Sequence, residues 1–110
     1  KAAMKRLVLG MLAACLATPV MAETEFEKIM HGKGLVETNC AQCHGVSLKD
    51  KSKHDKAPVF RSLAKRYPIE ALEEAFAEGI YSGHPDMPVF EATQEQVSAI
   101  VAYISSIQDE

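Results

Sequence analysis

An all-α fold is predicted by three features of the sequence. Apolar residues recur at helical spacing, most clearly at Val97, Ile100, Val101, Ile104 and Ile107. Helix-start and helix-stop residues bracket such runs. Thr93-Gln94-Glu95-Gln96 has the spacing of a capping box in its Gln form, and Pro68 and Gly79 frame a second apolar stripe. No segment alternates apolar and polar residues as a half-buried strand does.

The chain has 110 residues, enough for one domain. Lys1, Lys5 and Arg6 open it without a single acid before Glu23, and an apolar run from Leu7 to Leu16 follows. Thr18-Pro19-Val20-Met21-Ala22 then supplies a helix breaker and small residues. That order predicts a cleaved Sec-type signal peptide over residues 1–22, leaving a domain of residues 23–110. The apolar run is shorter than the ~20 residues of a membrane span, and Pro19 interrupts it. Leu12-Ala13-Ala14-Cys15 resembles a lipobox, so a lipid anchor at Cys15 stays open as the alternative, and with it the one route to membrane contact.

Glu25 to Thr38 is expected as the first helix, with acids near its start and Phe26, Ile29, Met30 and Val36 as its apolar stripe. Met30 is read there as core. Gly45 to Pro58 is polar, lysine-rich and aperiodic, hence a loop, and Phe60 to Arg66 suits a short helical turn. Pro68 is expected at the first position of the next helix, where its missing N–H costs nothing, with Ile69, Leu72, Ala75 and Phe76 buried. Gly83, Pro85 and Pro88 exclude a continuous helix between Ile80 and Ala92.

Residues 23–110 carry nine Lys and Arg against fifteen Asp and Glu, a formal charge of −6 that excludes a nucleic-acid binder. The charge is uneven. Lys49 to Arg66 has seven basic and two acidic residues, +5, leaving −11 for the rest of that domain. The basic segment is either a solvated loop or an oriented docking face for a redox partner. A domain this small often leans on a metal, cofactor or disulfide. The chain has no tryptophan, so a large apolar prosthetic group would supply missing core.

Cys40-Ala41-Gln42-Cys43-His44 is the C-x-x-C-H signature of c-type haem attachment. Two thiols must each add to one of two vinyl groups on the same edge of a macrocycle, and one turn of chain points both that way. The adjacent His44 then lies under the ring as an axial ligand to iron. A structural zinc site would need a second ligand pair, and His31, His54 and His84 form none. A redox-active C-x-x-C would sit in a strand-bearing setting, which the sequence lacks.

The chain resembles the class I c-type cytochromes, particularly the small bacterial monohaem ones, over essentially all of residues 23–110. Besides the haem motif, the likeness rests on Gly32-Lys33-Gly34-Leu35-Val36 and on Ile100-Val101-Ala102-Tyr103-Ile104. It implies a cytochrome c-like fold of three to four helices wrapped around one covalently bound haem c. Gly32, Val36 and Tyr103 fall where that family crosses its first and last helices. Pro58 falls where the family orients its proximal histidine through a carbonyl. Met87, in Gly83-His84-Pro85-Asp86-Met87-Pro88, falls at the distal ligand, with His84 as the alternative.

The function so implied is single-electron transfer in the periplasm by a monomer, through a His/Met-ligated haem, rather than enzymatic turnover. A dedicated haem subunit of a periplasmic dehydrogenase or oxidase is the alternative. A haem sensor or peroxidase-like protein would need a labile sixth ligand.

Overall fold

Thr24 starts the first helix by accepting the Glu27 N–H on its hydroxyl at 3.1 Å, and Glu25 and Glu27 complement the positive helix end. The helix, α1, runs Glu25–Asn39 in the computed structural model, which describes residues 22–78 and 86–109 together with Gly10. The signal-peptide segment and His84 therefore lie outside the described residues, apart from Gly10 and Ala22. A 3₁₀ helix, Phe60–Lys65, follows a long loop. Helices α2, Ala71–Glu78, and α3, Gln94–Ser106, complete an all-α fold with no strand among the described residues. No helix among them is long and apolar enough to cross a membrane.

The capping box of α3 forms as its sequence requires. Thr93 accepts the Gln96 N–H at 3.1 Å, and the Gln96 side chain accepts the Thr93 N–H at 3.0 Å. Helix α2 begins later than Pro68. Ala71, Leu72 and Glu73 donate to Pro68, Ile69 and Glu70, at 3.1, 3.0 and 3.3 Å. Those three-residue bonds wind the entry too tightly for an α-turn, so Pro68 heads a lead-in rather than the helix itself.

The core lies where α1 crosses α3. Val36, Ile100 and Ile104 are fully enclosed, with Val97, Val101 and Tyr103 beside them and Phe60, Leu63, Ile69 and Leu72 joining from the shorter elements. Enclosing an aliphatic side chain of this size stabilises the fold by roughly 1.5–3 kcal/mol. The expected stripe of α1 is corrected at two positions: Phe26 is 71% exposed and Met30 45% exposed. The crossing centres on Gly32 and Val36 instead. Met30 is two residues before Gly32, about 200° round the helix, so it turns away from α3.

A polar frame holds the loop after α1. Asp50 accepts the Val46 and Ser47 N–H groups at 2.9 and 2.8 Å, and Arg61 donates to the Asp50 carbonyl at 2.6 Å. Tyr103 donates its hydroxyl to the Val46 carbonyl at 2.6 Å. Gln108 closes the far end, donating to Phe60 O at 2.6 Å and accepting from Ala64 N–H at 2.8 Å. The loop is thus pinned at one end to α3 and at the other to the residues just after it.

Candidate functional site

The end of α1 builds the cysteine turn. Cys40 N–H still donates to Val36 O at 2.8 Å, and the chain then tightens. Cys43 and His44 both donate back to Cys40 O, at 3.2 and 2.9 Å. Two thiols and one imidazole therefore share a single turn, all three half-buried.

Burial pushes the Cys40 thiol from its ordinary 9.0 up to about 11. A disulfide-exchange centre needs the opposite shift, because the thiolate is the attacking species. The described residues also assemble no cluster of three or more His, Cys, Asp and Glu side chains suited to a metal ion. A thioredoxin-like centre fits poorly.

His44 is oriented by its backbone neighbours. Its Nδ1 lies 2.8 Å from the Pro58 carbonyl oxygen. A carbonyl only accepts, so Nδ1 carries the proton and the lone pair of the neutral ring lies on Nε2. The Phe60 ring packs against the imidazole, with centroids 4.7 Å apart and planes tilted by 38°. Phe60 in turn donates its N–H to Gly45 O at 2.8 Å, so the residue after His44 also anchors the ring that supports it. Gly45 has no room for a side chain: a Cβ there would meet Asp50 O at 2.8 Å and Val59 Cγ1 at 2.9 Å.

Met87 is half-buried in a bend following Asp86. Its segment is joined to the cysteine turn through His54, whose N–H donates to Cys43 O at 3.1 Å and whose Nε2 lies 3.5 Å from Asp86 Oδ2. Lys49, Lys51, Lys53, Lys56, Lys65 and Arg66 are exposed, while Arg61 turns inward to the loop frame.

These residues fit a covalently attached haem. Two thiols three residues apart on one turn suit two thioether bonds, and a histidine fixed as the Nδ1–H tautomer presents Nε2 as a donor to iron. Sequence reasoning missed Phe60 as the support of His44, and also Gln108, His54 and Asp86. Phe60 was legible only as the start of a helical turn, since nothing local says which ring it meets.

An all-helical protein with this turn and this oriented imidazole has the features of a haem-binding protein. Residues 29–108 match the family model described as Cytochrome c. The chain belongs to the cytochrome c family, whose general function is haem-based electron transfer. No curated protein and no solved structure matches it.

Proposed function

We propose that this chain is a periplasmic one-electron carrier with a single covalent haem c. Cys40 and Cys43 would form the thioethers, and His44 and Met87 would hold the iron. The observation that carries the reading is the bond from His44 Nδ1 to the Pro58 carbonyl, which holds one ring nitrogen and leaves the ligating lone pair on the other. When bound, the haem supplies the Fe(III)/Fe(II) couple.

The chain's residues do the rest. The cysteine turn would keep the group attached outside the cell, Pro58 and Phe60 would fix the imidazole plane, and Met87 would offer the iron a neutral, weakly donating thioether. Such His/Met ligation raises the potential relative to two histidines. Residues 1–22 act as the cleaved export signal in this reading, and residues 23–110 form the haem domain, a monomer. The exposed lysines between Lys49 and Lys56 give it a basic face for an acidic redox partner.

Mass spectrometry and an absorption spectrum of the exported protein test the proposal together. One haem should remain on the chain after denaturation, with the residues before Glu23 removed. The ferric spectrum should carry the weak sulfur-to-iron band, and Met87→Ala should abolish it. Extractable haem, or a band indifferent to Met87, would overturn the assignment.

A further inference from the structure

The two histidines around the cysteine turn have their tautomers set in opposite senses. His44 donates a hydrogen bond from Nδ1–H to a carbonyl, whereas His54 accepts the Lys56 N–H on Nδ1 at 3.1 Å. The proton of a neutral His54 ring is therefore on Nε2, facing Asp86 Oδ2 at 3.5 Å. The backbone of His54 is itself held, its N–H on Cys43 O and its carbonyl accepting from Ala57 N–H, both at 3.1 Å. A continuous path of contacts runs from the cysteine turn through His54 to the residue before Met87.

Met87 thus lies between two anchors. Asp86 precedes it and meets His54. Three residues after Met87, Phe90 packs edge-on against Phe76 of α2, with centroids 6.5 Å apart. Pro88 stiffens the link between Met87 and the second anchor.

We infer that His54 and Asp86 form a clip that holds the Met87 segment closed over the site, making His54 a positioning residue for the distal ligand. The inference rests on Met87 being that ligand. An exposed pair of this kind shifts a local equilibrium modestly, about two- to fivefold. That shift is measurable wherever opening of the segment limits access, because the apparent affinity of an outside ligand scales with the open population.

Free imidazole is the probe. Titrated into the ferric holoprotein, it displaces the methionine, and the loss of the sulfur-to-iron band reports its binding. His54→Ala and Asp86→Ala should each tighten apparent imidazole binding about two- to fivefold. The double variant should bind no more tightly than either single one, since both remove the same contact. His54→Gln, which keeps an N–H donor, should recover part of the wild-type affinity.

Wild-type affinity in His54→Ala, or additive effects in the double variant, would overturn the clip while leaving the ligand assignment intact. A wild-type protein without the sulfur-to-iron band would overturn the Met87 assignment and the clip together.

Discussion

Gly32 of α1 lies so close to Ala99 of α3 that a Cβ on Gly32 would sit 1.9 Å from the Ala99 carbonyl oxygen. The obstacle is backbone, which cannot rotate aside as a side-chain tip can. A Cβ on Gly34, two residues on in the same helix, would have nothing within 4 Å of it. One helix therefore carries two glycines with opposite consequences.

Gly32→Ala should destabilise the holoprotein by up to about 2 kcal/mol. Overpacking typically costs ~1–3 kcal/mol, and the gain in helix propensity over glycine, ~1 kcal/mol, offsets only part of it. Gly34→Ala should be neutral or stabilising by up to ~1 kcal/mol. Urea unfolding of the two variants checks the pair, and equal effects would show the crossing to be looser than the geometry states.

Tyr103→Phe removes the hydroxyl that donates to Val46 O at 2.6 Å. Val46 is buried, so its carbonyl would lose its bond without gaining water. A stability loss of about 1–3 kcal/mol is expected, with the haem spectrum unchanged. A loss well under 1 kcal/mol would mean that solvent reaches the carbonyl.

Asp50 brings a pH dependence. Burial opposes its ionisation, but the backbone N–H groups of Val46 and Ser47 and the Ser47 hydroxyl outweigh it and hold the carboxyl below its ordinary 3.8. A depressed carboxyl adds stability that is present above the unfolded value and is lost as pH falls through the folded one. Unfolding of the holoprotein should therefore become easier below about pH 4. Asp50→Ala, less stable at neutral pH by about 1 kcal/mol, should lose less on acidification than the wild type does. Parallel pH profiles for the two proteins would remove Asp50 from the account.

The proposed basic face makes electron transfer sensitive to salt. Oxidation of the reduced holoprotein by ferricyanide, an anion, should slow as ionic strength rises, since screening shortens the reach of exposed charges to about 8–10 Å. Reversing Lys51, Lys53 and Lys56 to glutamate should slow it further, by up to about tenfold at low salt, with an unchanged spectrum. Rates indifferent to both would leave these lysines as a solvated loop.

Local rules made much of the molecule legible. The Thr93 capping box, the helix from Glu25 and the buried stripe of Val97, Ile100, Val101, Ile104 and Ile107 all appear where the sequence places them. Their signals lie within one or two helical turns. Phe26 and Met30 mark the limit of that reasoning. Apolar spacing says that α1 has an apolar side but not which direction α3 will approach from, and the small residue Gly32 set that direction.

The sequence by itself pointed to the family and to the haem attachment proposed above, because two thiols and a histidine in five consecutive residues need no distant partner to be recognised. Tertiary structure decided how that histidine stands. The Pro58 carbonyl that sets the His44 tautomer is 14 residues away, and Tyr103 reaches Val46 across 57. Tertiary structure likewise put Phe60 against the imidazole and His54 beside Asp86. Hydrogen bonds and ring contacts over such separations depend on how the helices pack, and packing is a property of the whole chain that no single window of sequence contains.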